Sequence, residues 1–125
     1  MHEFSVAYQI AQTVLEIASQ KGAKSIKRVE IEVGRLTFLG VDQLKFWVES
    51  CLENTIGAGA QIDLKTVEPR IKCDSCGYEG EMEMVDDDPI FHLSLPRLEC
   101  PKCGSTDLEI TAGRDCLIRR IEISV

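Results

Sequence analysis

Residues 73–77 read CDSCG and residues 100–104 read CPKCG. In each, two cysteines three positions apart let one tight turn aim both sulfurs at a common point. The glycine that follows lets the backbone close that turn. Two such turns supply the four thiolates of a tetrahedral zinc site, with each sulfur about 2.3 Å from the ion. The competing uses of such cysteines are a redox CxxC and an iron–sulfur cluster. A redox motif occurs once, between a strand and a helix start, and neither pair has that setting. Four thiolates leave no open coordination position, so the ion is expected to be structural. It stands in for the core that a piece of about 40 residues cannot build. The interval between the pairs exceeds the usual spacing of about 15–20 residues, and the extra loop VDDDPIFHLSLP, residues 85–96, accounts for the excess.

Residues 70–113 hold four of the six cysteines and three of the four prolines, with few alternating apolar runs. The flanks read differently. Residues 4–22, FSVAYQIAQTVLEIASQKG, place Ala7, Ile10, Ala11, Val14, Leu15 and Ala18 at helical spacing, with Gly22 as the stop. KRVEIEVG, residues 27–34, alternates Val29, Ile31 and Val33 with charge, as a half-buried strand does. Residues 41–54, VDQLKFWVESCLEN, form a second amphipathic helix with Leu44, Trp47, Val48, Cys51 and Leu52 inward and Asp42 as its cap. A second strand follows in residues 60–69, with Ile62 and Leu64 on one side and Pro69 ending it. After Gly113, CLIRRIEISV again alternates as a strand. A lone C-terminal strand has no stability of its own, so it is expected to rejoin the first two. The fold class is therefore α+β: two helices on a three-stranded sheet with an inserted four-cysteine zinc-ribbon-like module. The expected domains are 1–69 plus 114–125, and 70–113. Cys51 and Cys116 read as small buried hydrophobes.

Acidic residues outnumber basic ones by 21 to 14, for a net charge of −7. Nucleic acid is not the expected partner, because phosphate binding needs clustered Lys and Arg. No stretch approaches the roughly 20 apolar residues of a membrane span. The start lacks the basic-then-apolar pattern of a secretory signal. A cytoplasmic, reducing location is expected, where paired CxxC motifs mean metal before disulfide. There is no HExxH motif, nucleophile elbow or phosphate loop, so enzymatic turnover is not expected. Asp86–Asp88 read as a solvated acidic turn.

The chain opens MHEF. The imidazole Nδ1 of His2 and its own backbone nitrogen close a six-membered chelate ring. That nitrogen and the α-amine of Met1 close a five-membered one. Such nitrogens can share a plane, which suits Ni(II) or Cu(II) and fits tetrahedral zinc poorly. Because an amide must lose its proton, the site weakens as pH falls. Glu3 offsets the positive end of the following helix.

MHEFSVAYQI, VEIEVGRLTFLGVDQLKFWVES, the doubled CxxCG and the terminal RIEISV together resemble the HypA/HybF family of hydrogenase nickel-incorporation proteins, across essentially the whole chain. The resemblance implies a nickel metallochaperone for [NiFe]-hydrogenase maturation, with urease served by some members. Its partners would be a HypB-type GTPase and the hydrogenase large subunit. Labile Ni(II) would be held by Met1, His2 and Glu3, and structural Zn(II) by Cys73, Cys76, Cys100 and Cys103. The long linker between the knuckles is similar to archaeal-type members, in some of which a loop histidine completes the nickel square; His92 is the candidate here. A monomer is the expected state. The alternative is a zinc-ribbon protein-interaction adaptor without labile nickel.

Overall fold

The computed structural model describes residues 2–82, 84–88, 93–96 and 98–125, with the backbone alone described for 84–88 and 93–96. Among these residues the chain forms two α-helices and eight strands: α1 (Glu3–Gln20), β1 (Ser25–Gly34), α2 (Val41–Leu52), β2 (Gln61–Val67), β3 (Arg70–Cys73), β4 (Glu79–Glu81), β5 (Met84–Asp88), β6 (Leu93–Pro96), β7 (Leu108–Ala112) and β8 (Cys116–Ser124). The fold is α+β, as the sequence pattern requires.

The first sheet has the order β2-β1-β8. β1 lies at its centre, parallel to β2 and antiparallel to β8. Alternation puts Val29, Ile31 and Val33 on one face, and a register shift between Ile26 and Arg28 brings Ile26 to the same side, where all four are buried. In register beside them stand Ile123, Ile121, Ile118 and Cys116 of the returning C-terminal strand. Both helices cover this face. α1 contributes Ala7, Ile10, Ala11, Val14 and Ala18, and α2 contributes Leu44, Val48 and Leu52. Three alanines on α1 keep its contact face narrow, which allows close helix approach. The opposite face is open and carries ion pairs, including Arg28–Asp63 and Arg119–Glu32. These groups lie at the solvent surface, so the pairs add little to stability, and their main effect is to keep that face wetted.

The second sheet, ordered β4-β3-β7, carries the cysteine turns, and β5 and β6 make a separate antiparallel ribbon. These strands answer the paucity of alternating runs in residues 70–113. They are only three to five residues long, too short for period-2 patterning to stand out.

Three expectations are corrected. Asp86–Asp88 form no turn: their backbone belongs to β5 and pairs with β6. Gly40, not Asp42, is the N-cap of α2, and Asp42 lies in its first turn, where its charge complements the helix dipole. Trp47 is not a core residue: it remains 37% exposed, edge-on to Phe4 of α1.

The chain crosses between the two sheets twice, at Glu68–Pro69 and at Gly113–Asp115, and both crossings converge on the end of β1. The Gly34 N–H donates to the Asp115 carbonyl at 2.9 Å, and the Leu36 N–H to the Gly113 carbonyl at 2.9 Å. A Cβ on Gly34 would stand 2.4 Å from the Gly113 carbonyl carbon. Gly113 itself has φ +83°, and a Cβ there would stand 2.7 Å from Cα of Pro69, a residue with under 2% exposure. Arg35 Nε and Nη2 donate to the two Glu68 carboxylate oxygens across the same junction, at 2.8 and 2.6 Å.

Gly113→Ala is therefore expected to cost about 2–4 kcal/mol, combining left-handed strain with backbone overlap. Gly59→Ala, at φ +79° with open space around it, is expected to cost only about 1 kcal/mol. Urea denaturation decides this, and equal losses would show that the close approach is unimportant. Glu68 also carries a pH signature. The Arg35 hydrogen bonds hold its carboxyl below the ordinary 4.5 against the opposing effect of burial. Its stabilisation is thus present above pH 4.5 and lost as pH falls through the lower folded value. Solvent screening keeps it under about 1 kcal/mol. Glu68→Gln is expected to flatten the acid limb of a stability–pH curve by that amount and leave neutral stability within it.

Candidate metal centre

Each cysteine turn is built the same way. Cys73 ends β3, its N–H donates to the Tyr78 carbonyl at 2.8 Å, and the Gly77 N–H returns to the Cys73 carbonyl at 3.0 Å. In the second turn the Cys100 N–H donates to the Ser105 carbonyl at 2.7 Å, and the Gly104 N–H to the Cys100 carbonyl at 2.8 Å. Gly77 and Gly104 take φ +78° and +76°, the left-handed conformation that glycine adopts without strain. The turns are stitched together by the Asp74 N–H, which donates to the Asp107 carbonyl at 3.0 Å, and by a 2.9 Å bond between the Ser75 and Ser105 hydroxyls.

This framework brings all four predicted sulfurs together. Cys73 Sγ lies 3.6 Å from Cys103 Sγ, and Cys76 Sγ lies 3.7 Å from Cys100 Sγ. All four sulfurs lie within 4.8 Å of one another. A tetrahedron with metal–sulfur bonds of about 2.3 Å has sulfur–sulfur edges of about 3.8 Å. The quartet therefore fits one metal ion. The cysteines are unbridged, and these separations are far beyond a disulfide bond of about 2.05 Å.

The protonation chemistry also favours a cation. Burial opposes ionisation of Cys100, but the backbone N–H groups of Cys103 and Lys102 and the neighbouring thiols outweigh it and bring its pKa to about 7. At Cys103 the Ser105 backbone favours the thiolate, yet burial and the three other cysteines win and push it up to about 12. One negative charge forms readily in the cluster, and further ones repel it unless a cation is present.

The N-terminal histidine stands in a different setting. His2 occupies the N-cap of α1, exposed, and its ring makes no capping bond. Ser, Thr, Asp or Asn would fill this position in a helix optimised for stability. The helical ladder begins with the Val6 N–H donating to the His2 carbonyl at 3.1 Å, so it takes up that carbonyl and leaves the His2 nitrogen outside the ladder. Glu3 is the first helical residue and is half-buried. Met1 and His92 lie outside the described residues.

Beside His2 runs a groove of about 360 Å³, lined by Val6, Thr37, Leu39, Arg114, Asp115 and Cys116. The last three follow directly from the junction at Gly113. The topology thus sets the start of β8 against the N-terminus, a neighbourhood that only the three-dimensional pairing of β8 with β1 discloses. Cys116 is half-buried, and burial pushes its thiol above the ordinary range, which keeps it protonated and inert.

Comparison with known proteins matches this architecture. A family model described as "Hydrogenase/urease nickel incorporation, metallochaperone, hypA" matches residues 1–123. Hydrogenase maturation factor HypA of Methanothermobacter thermautotrophicus is 37% identical over 123 residues, covering 98% of this chain and 97% of the relative. Hydrogenase maturation factor HypA of Methanocaldococcus jannaschii is 35% identical over 128 residues, covering 98% and 97%. The solution structure of the Ni metallochaperone HypA from Helicobacter pylori shares the fold, with a TM-score of 0.69, 22% identity, and coverage of 99% of this chain and 98% of that one. The chain belongs to the HypA family of hydrogenase and urease nickel-incorporation proteins, which are metallochaperones and not enzymes.

Proposed function

We propose that this chain binds Ni(II) at its N-terminus and, with a HypB-type GTPase, delivers it to the [NiFe]-hydrogenase large subunit in the cytoplasm. The ligands in this reading are nitrogens of Met1, His2 and Glu3, including the His2 imidazole, with His92 as an optional, detachable fourth donor. The observation that carries it is His2 at the N-cap: a residue poor at capping, whose ring and backbone nitrogen are both left out of the helical bonding. A residue that costs helix stability is explained by a use for its side chain. A planar nitrogen set suits Ni(II), and three donors on one continuous peptide can capture it. Loss of a fourth donor supplies a route to release. Partner docking provides the differential binding energy that such a shift requires.

In the same reading Cys73, Cys76, Cys100 and Cys103 hold a resident Zn(II), and residues 70–113 form the zinc-binding domain beside a nickel-binding domain of 1–69 plus 114–125. Zinc bound there supplies cross-linking and no open coordination position. The core supports this division. Among the described residues, the main buried cluster draws on α1, β1, α2 and β2, with Cys116, Ile118, Ile121 and Ile123 of β8 packed against it, while Ile71, Cys73, Met82 and Cys100 are buried outside it.

The assignment of the two ions is tested residue by residue. His2→Ala is expected to weaken nickel binding by at least about a hundredfold, the equivalent of about 2.7 kcal/mol, while leaving zinc content at one per chain. Calorimetric titration of the untagged protein checks this, and unchanged nickel affinity would refute the ligand assignment. Cys103→Ser is expected to lose zinc and the ordered fold of residues 70–113 but keep helical circular dichroism, since both helices lie in the other core. Amide exchange read segment by segment distinguishes that result from global unfolding. In the unmodified chain zinc is expected to leave on acidification, because protons compete for the thiolates.

A further inference from the structure

We propose that the outer surface of α1 and α2 is a docking site for a basic amphipathic helix of a partner protein. Four of the seven aromatic side chains lie exposed on these two helices: Phe4 at 52%, Tyr8 at 51%, Phe46 at 60% and Trp47 at 37%. They form a connected ridge. Phe4 and Phe46 each meet Trp47 edge-on, with ring centroids 5.0 Å apart in both pairs. Tyr8 follows Phe4 one turn along α1 and so extends the same strip. Aromatic residues left in water while small aliphatics fill the core mark a binding surface, because burying them is the largest apolar gain still available.

Charge selects the occupant. Glu16, Asp42 and Glu49 on α1 and α2 stand against a single side-chain cation, Lys45. Asp42 and Glu49 flank Phe46 at i−4 and i+3, on the same helix face. Lys45 is exposed on α2, and its charge is shared with Asp63 of β2, whose carboxyl it helps to hold low. The ridge is thus aromatic with an acidic rim. A second copy would bring like charges together, and an anionic membrane surface would be repelled. A helix with one apolar face and flanking lysines or arginines satisfies both features. The ridge begins two residues after His2, so a partner seated on it stands beside the proposed nickel ligands. Only that consequence rests on the nickel reading, and the test below contains no nickel.

Trp47 is the only tryptophan in the chain and reports directly on the ridge. The probe is a synthetic Leu/Lys amphipathic peptide of about 18 residues, without tryptophan, added to the zinc-loaded protein. The expected result is a saturable blue shift of Trp47 emission that weakens with salt. A Leu/Glu peptide of the same pattern is expected to give none. Phe46→Ser, at the most exposed position of the ridge, is expected to weaken binding at least about tenfold with helical circular dichroism unchanged. Tyr8→Ser is an independent check of the same kind on the other helix. Absence of a shift with the Leu/Lys peptide overturns the proposal. So does equal affinity in both variants, which would reveal charge attraction alone. A dimer in sedimentation that Phe46→Ser abolishes would overturn it in favour of a second copy.

Discussion

Four sulfur atoms held within 4.8 Å of one another impose the constraint on which the zinc-ribbon part of the molecule rests. Thiolates so close cannot all carry charge without a cation among them. The divergent protonation of Cys100 and Cys103 expresses that conflict. Among the described residues, the short strands β3, β4 and β7 bury only the side chains of Ile71 and Cys73. The metal-ready quartet and the paired backbone bonds of the two turns therefore replace what a hydrophobic core supplies elsewhere. The helical part has a conventional apolar core.

The junction of these two parts is where sequence and structure inform each other least directly. Gly34, Pro69 and Gly113 are far apart along the chain, and no spacing rule links them. Their backbones meet because β1 is the central strand and both crossings pass its end. By contrast, the cysteine turns, the alternating strands and the buried faces of both helices were legible from spacing alone, since each depends on residues a few positions apart. The return of β8 to the first sheet was legible from a stability argument, because one strand cannot stand alone. Trp47 was misplaced for a physical reason. Helical periodicity puts it on the flank of the apolar arc of Leu44, Val48 and Leu52, but only the position of α1 decides whether that flank is covered. The groove beside His2 depended in the same way on long-range pairing.

The proposed function uses two kinds of ligand chemistry whose difference is built into their settings. The thiol quartet sits on interlocked turns and leaves no open position, which suits an ion that stays. The proposed N-terminal site sits at an exposed helix start on one continuous peptide, which suits an ion that moves. His2 in a capping position it fills poorly is the local sign of that division. The aromatic ridge beginning at Phe4 adds a surface on which a partner can receive the mobile ion without disturbing the resident one.

The most direct measurement is X-ray absorption at both metal edges of the native chain loaded with one equivalent each of zinc and nickel. The zinc edge should report four sulfur neighbours at about 2.3 Å, and the nickel edge a planar shell of nitrogen donors with no sulfur. Sulfur in the nickel shell, or nitrogen replacing sulfur around zinc, would contradict the separation of the two sites.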